Sequence, residues 1–78
     1  MNETLIYTKT NDAQSMGTKM FLDARKIAYT ERNIDDNEGY QLEAQATGFS
    51  SVPIIIPATS YNIAPWSGFE PEKLTGLI

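Results

Sequence analysis

The pattern of apolar and polar positions divides the chain into short runs of period two and longer runs of period three to four. Thr4 to Thr8 (Thr-Leu-Ile-Tyr-Thr) is a run of β-favouring residues, apolar enough for a strand buried on both faces. Thr10-Asn11-Asp12 is turn chemistry that also supplies a helix N-cap. From Ser15 to about Ala28, apolar residues fall at Met16, Met20, Phe21, Ala24, Ile27 and Ala28, with Lys19, Asp23 and Lys26 mostly on the opposite side. That spacing predicts an amphipathic helix with Met16 and Met20 in the core.

Ala28 to Ile34 predicts a second strand, with Tyr29 and Ile34 its largest apolar side chains. Asp35 and Asp36 are expected to turn the chain and cap a second helix that runs to about Thr47. Gly48 followed by Phe49 fits a left-handed helix end with an apolar contact after it. Gly39, inside that helix, costs about 1 kcal/mol relative to alanine and predicts a loose first turn. Ser51 to Pro57 reads as a strand entered and left through proline, and its three consecutive isoleucines suit burial on both faces. A short fourth strand is expected around Ser60 to Ile63, then a turn at Trp66 to Phe69, then a short terminal helix opened by Pro71.

The order is therefore β-α-β-α-β-β-α within a single domain, residues 1–78. Alternating elements in the first half imply parallel strands joined by a right-handed crossover, and the last two strands are close enough to form a hairpin. The expected architecture is α/β, a four-stranded mixed sheet flanked by helices.

Composition narrows the chemistry more than the fold. There is no cysteine and no histidine among the 78 residues. Disulfides, thiolate–metal sites and the commonest general base are thereby excluded. Asp and Glu lack the spacing of a calcium loop, so no metal or other cofactor is expected. The net charge is −4, and Lys9, Lys19, Arg25, Lys26, Arg32 and Lys73 are scattered rather than clustered, which argues against nucleic-acid binding. The N-terminus shows no basic stretch leading into an apolar run, and no segment approaches bilayer-spanning length. A cytoplasmic monomer that does not engage membranes is the expectation.

Four islands of sequence together resemble one family. Tyr7-Thr8-Lys9-x-Asn11 is similar to the approach to a redoxin active site, and Thr18-Lys19 with Leu22-Asp23 matches the helix beyond it. Gly48-Phe49-x-Ser51-Val52-Pro53 resembles the element that carries a cis-proline facing the dithiol. Trp66-Ser67-Gly68-Phe69-x-Pro71 resembles the Trp-Ser-Gly-Phe-Arg-Pro signature of NrdH-type redoxins, glutaredoxin-like proteins that pass electrons from thioredoxin reductase to class Ib ribonucleotide reductase. The resemblance covers nearly the whole chain and implies a thioredoxin/glutaredoxin-like fold. Its departures fall on the chemistry. Asp12 and Ser15 stand where the family has its two cysteines, Thr10 replaces a proline and Glu70 an arginine.

A dithiol redoxin needs one thiolate to attack and a second thiol to resolve the mixed disulfide, and this chain has neither. Asp12 places an anion where the family holds a thiolate; it is also a good N-cap in its own right. Ser15 lacks a base to make it a nucleophile. The resemblance implies that Pro53 is cis and that the Val52 backbone pairs with an extended partner segment, whereas composition alone makes Pro53 a strand-entry residue. Lys9 is either a carboxylate ligand or a solvated lysine. Trp66 and Phe69, with Ser67 and Gly68, are either core or a binding rim.

The expected function is a non-enzymatic, redox-inactive binding module. It would engage a redoxin partner, ribonucleotide reductase or thioredoxin reductase, through Lys9, Asp12, Ser15, Val52, Pro53, Trp66, Ser67, Gly68 and Phe69. The alternatives are an electron donor of the same class whose cysteines were lost or mutated, and a glutathione-site binder.

Overall fold

A computed structural model describes residues 3–78; Met1 and Asn2, on which the reading of the N-terminus partly rests, lie outside it. Strand β1 (Thr4–Thr8) is buried at all five positions. It lies inside the sheet, whose order is β2-β1-β3-β4, with β2 spanning Tyr29–Asn33, β3 Ile54–Ile56 and β4 Trp66–Ser67. β1 runs parallel to β2 and antiparallel to β3, and β3 runs antiparallel to β4. The mixed four-stranded sheet matches the expectation.

Side chains alternate across a strand, so the register sorts the core into two layers. Ile6 lies opposite Ile55, and Ile55 opposite Trp66. These three pack with Leu22 of α1 (Ala13–Ala24) and with Leu74 and Leu77 at the C-terminus. Tyr7 lies opposite Ile54, and both pack on the other face with Ala44 of α2 (Glu38–Ala46). Helix α1 and the short α3 (Pro71–Leu74) therefore cover one face and α2 the other.

The first helix ends earlier than its apolar spacing predicts. Lys26 adopts a left-handed conformation at φ 57°. The Ile27 N–H donates to the Leu22 carbonyl at 3.0 Å and the Lys26 N–H to that of Asp23 at 3.1 Å, which closes the helix with paired backbone bonds. Its buried face is also different: Ser15, Thr18 and Leu22 are buried, while Met16 and Met20 are 52% and 69% exposed. The expectation that the methionines fill the core is corrected. Ser15 and Thr18 can be buried because their hydroxyls are satisfied locally, by Asp12 and by the Gln14 carbonyl.

Helix α2 is capped by Asn37 rather than by Asp35 or Asp36. Its side-chain oxygen accepts from the N–H groups of Gly39 (2.7 Å) and Tyr40 (3.3 Å). A Cβ on residue 39 would sit 2.9 Å from that oxygen, so Gly39 makes room for the cap instead of loosening the turn. Gly48 ends the helix at φ 87° and Phe49 packs on the Tyr7 layer, as expected.

The expected fourth strand is not where the sequence suggests. Thr59–Tyr61 is a 3₁₀ turn, after which Asn62 is left-handed. The Tyr61 hydroxyl donates to the Leu77 carbonyl at 3.0 Å, and Tyr61 and Ile63 pack against the core. Their apolar alternation serves packing against the core outside the sheet, and the residues expected to turn, Trp66 and Ser67, pair with Ile55 and Ile54 instead. The third strand is also shorter than Ser51 to Pro57, since the ladder begins only after Pro53.

Leu22 is fully buried whereas Met20 is mostly exposed. Leu22→Ala should therefore lower the unfolding free energy by about 2–5 kcal/mol, and Met20→Ala should stay within about 0.5 kcal/mol, in urea titrations. Comparable losses for the two would return Met20 to the core.

Candidate functional site

The junction between β1 and α1 is a tight loop held from three sides. Asn11 is left-handed at φ 59°, which reverses the chain into the helix. The Thr10 N–H donates to Asp35 Oδ2 at 3.0 Å, and Asn33 Nδ2 donates to Thr10 Oγ1 at 3.1 Å. Asp35, expected as a helix cap, instead ties this loop to the turn after β2.

Asp12 is the N-cap of α1. Its Oδ2 accepts from the Ser15 N–H at 2.8 Å and from the Ser15 hydroxyl at 2.7 Å. The Ser15 oxygen in turn lies 3.4 Å from the Lys9 N–H, and the residue is 1% exposed. The two positions where the resemblance places cysteines are thus brought together, and they hydrogen-bond each other. The carboxylate that accepts from this hydroxyl is a weak base already engaged by the Ser15 N–H, and the buried hydroxyl has no open side for a substrate. As a site residue Ser15 is corrected from a partner contact to an internal support of Asp12.

The Val52–Pro53 peptide bond is cis. Pro53 is buried, and its carbonyl accepts from the Gly68 N–H at 2.8 Å. Val52 is half-buried, and its own N–H and C=O bond to no other described residue. Ser67 Oγ donates to the Ser51 carbonyl at 2.5 Å, so the segments around Val52 and Gly68 are laced together. Beside Val52 and Ser51 lies a cavity of about 250 Å³, walled by Ile34, Ala44, Phe49 and Ile54 with Gln41 and Gln45 at its edge.

Trp66 is 3% exposed and belongs to the core layer with Leu22 and Leu74. The option of a rim tryptophan is corrected: register with Ile55 sends the ring inward. Phe69 is different, being 36% exposed and lying over Gly17 of α1. Its N–H donates to Gln14 Oε1 at 2.9 Å, a strut between α1 and the segment after β4 that sequence reasoning missed. No local pattern marks Gln14, because its partner is remote in the chain. Lys9 is exposed and joins no ion pair among the described residues. The accessible part of the expected site is Lys9, Asp12, Val52, Ser67, Gly68 and Phe69; Ser15, Pro53 and Trp66 lie beneath it.

Two polar clusters brace the strands that present this surface. Tyr7 Oη donates to Glu43 Oε1 at 2.8 Å, and Arg32 donates to the same oxygen. On the opposite side, Glu31 Oε2 accepts from Thr8 Oγ1 at 2.6 Å and from Lys19 Nζ at 2.9 Å. Burial pushes the Glu31 carboxyl upward, but the Thr8 and Lys19 bonds outweigh it and hold it below its ordinary value. Among the described residues, no three acidic side chains gather where a metal could sit, and no helix is long and apolar enough to cross a membrane.

Comparison with known proteins follows the same lines. The glutaredoxin family model matches residues 4–57. The glutaredoxin-like protein NrdH of Lactococcus lactis subsp. cremoris is 33% identical over 72 residues, covering 92% of this chain and 94% of the relative. Among solved structures, the glutaredoxin-like NrdH-redoxin of Escherichia coli, described as having a thioredoxin-like activity profile, superposes with a TM-score of 0.83 at 27% identity. That match covers 96% of this chain and 93% of the other. A glutaredoxin from Archaeoglobus fulgidus shares the fold with a TM-score of 0.79 at 23% identity, covering 99% of this chain and 86% of its own.

Asp12→Ala should cost about 1–3 kcal/mol in chemical denaturation, through loss of the cap and of the acceptor for a buried hydroxyl. Asp12→Asn, which keeps one acceptor, should lose less. The pH dependence has a definite sign. Because the folded Glu31 carboxyl titrates below its unfolded value, its contribution is present above the unfolded pKa and is lost as pH falls through the folded one. Glu31→Gln should therefore flatten the fall in stability on the acid side and leave its slope near neutrality unchanged.

Proposed function

The chain belongs to the glutaredoxin family, and from that membership we propose that it is a redoxin-derived binding module that docks a protein partner without exchanging electrons. The observation that carries this reading is the state of the Val52 backbone. Its N–H and C=O are unpaired within the described residues; it lies two residues before Ile54, which pairs with Tyr7 of the strand that leads into the Asp12–Ser15 turn. Unpaired backbone groups at the end of a strand can bond to an extended segment of another chain, and pairing of that kind needs no thiol. The neighbouring cavity offers room for a side chain of such a segment.

Asp12 supports the same reading. A carboxylate at the N-terminus of α1 holds negative charge where the helix dipole favours it. A partner surface evolved to meet a thiolate there meets an anion still. Lys9, Ser67, Gly68 and the exposed edge of Phe69 complete the docking surface on this proposal. The partners proposed are those of NrdH-type redoxins, thioredoxin reductase or class Ib ribonucleotide reductase, in the cytoplasm, and the chain as it stands is proposed to be no enzyme.

The test is an assay with thioredoxin reductase and a disulfide substrate. The chain itself should give no turnover above blank. The double variant Asp12→Cys with Ser15→Cys, checked for a native circular-dichroism spectrum, should acquire turnover, because the docking surface would still be present. A folded double variant that stays inert and binds neither partner in calorimetric titrations would overturn the proposal, as would turnover by the unmodified chain.

A further inference from the structure

The loop between β1 and α1 is fixed at its ends by the buried Thr8 and by the Asp12 cap, and its middle is held by a closed cycle of hydrogen bonds from a distant part of the chain. The Thr10 N–H donates to Asp35 Oδ2 at 3.0 Å, the Asp35 N–H donates to Asn33 Oδ1 at 2.8 Å, and Asn33 Nδ2 donates to Thr10 Oγ1 at 3.1 Å. Each of the three residues gives one bond and takes one, and the Asn33 amide is oriented at both ends. Helix α2 makes no claim on Asp35, because Asn37 caps it. Within the loop, Asn11 is left-handed at φ 59°, a conformation that a residue with a side chain adopts at a cost. A loop carrying that cost needs contacts that hold it in place.

We propose that Asn33 and Asp35 are positioning residues for the docking turn: acting through Thr10, they hold the loop in the one conformation that presents Lys9 and Asp12 together with Val52. The inference rests on the reading of that turn as a docking surface. The identity of residue 10 carries it. The redoxins that this chain resembles have proline there, and proline stiffens a loop through its own covalent ring. Proline has neither an N–H nor a hydroxyl, so it could enter neither of the two bonds that Thr10 makes in the cycle. Threonine gives up the covalent restraint and supplies, in the same substitution, the donor and the acceptor that tie the loop to the turn after β2. Water competes with bonds this exposed, so they add little to the stability of the whole fold, and their effect is to select among conformations of the loop. Presentation of the docking turn is then set by two residues outside the docking surface.

Amide exchange and calorimetric titration test this together. Asp35→Ala should speed exchange of the Thr10 N–H roughly fivefold, the scale of one net hydrogen bond, while the thermal midpoint moves by a few degrees at most. Asp35→Asn keeps an oxygen for that N–H and should restore slow exchange. Asp36→Ala, which removes the same charge from the neighbouring residue, should leave Thr10 unchanged. Titrated with thioredoxin reductase and with class Ib ribonucleotide reductase, Asp35→Ala should bind its partner several-fold more weakly and Asp35→Asn close to the wild type. In a Thr10→Pro background there is no N–H to lose, so Asp35→Ala should have no further effect on that affinity. Thr10 exchange indifferent to Asp35→Ala, or equally sensitive to Asp36→Ala, would overturn the proposal, as would a partner affinity unchanged by Asp35→Ala. An unmodified chain that binds neither partner, with the Thr10 N–H still guarded by Asp35, would instead overturn the docking reading itself, and the positioning role with it.

Discussion

Strand β1 is the constraint on which the rest of the molecule depends. Its five residues are buried without exception, and both of its edges are paired. Because its side chains alternate, Ile6 and Tyr7 belong to different layers, and the strand feeds both cores, as β3 beside it does through Ile55 and Ile54. Its ends do further work. The Thr4 hydroxyl accepts from the Ala58 N–H at 3.1 Å, and Thr8 donates to Glu31, so each flanking threonine is buried with its hydroxyl satisfied. The loop that follows Thr8 is delivered by this strand to the N-terminus of α1, and its position relative to Val52 is set by the β1–β3 register.

At that junction the fold concentrates unpaired amides and dipole, and something must occupy the cap. In the redoxins that this chain resembles a thiolate does so; here a carboxylate does, and it consumes the neighbouring hydroxyl as well. The substitution is therefore compatible with the scaffold on elementary grounds: an oxygen acceptor at an N-cap stabilises the helix whether or not any chemistry happens there. The same pair of side chains that closes the cap leaves no thiol at either position. A working thiol must stay accessible to a disulfide, while the Asp12–Ser15 pair is closed and Ser15 is buried.

Legibility in the sequence followed the range of the interactions involved. β1, the cap at Asp12, the helix end at Gly48 and the start of α3 at Pro71 were all readable, because each rests on local propensity or a single capping residue. The burial of α1 was misread because hydrophobicity alone ranks methionine above serine and threonine. What decided the face was that Ser15 and Thr18 are small and satisfy their own hydroxyls, leaving Leu22 to dock. β4 was misplaced for a related reason. Tyr61 and Ile63 alternate as a strand would, but the Tyr61 hydroxyl donates to the Leu77 carbonyl and both residues pack against the core from a 3₁₀ turn and the loop after it.

By itself the sequence determined the alternation of elements, the absence of thiol and imidazole chemistry, and the identity of the residues around the cap, since all of these depend on residue type and near neighbours. Only the tertiary structure decided which of those residues face outward. It put Trp66 in the core through its register with Ile55, left Phe69 at the surface through the Gln14 strut, and left the Val52 backbone unpaired. It also turned the methionines of α1 to solvent. Orientation of this kind is set by contacts between segments distant in the chain, and no window of sequence contains both partners.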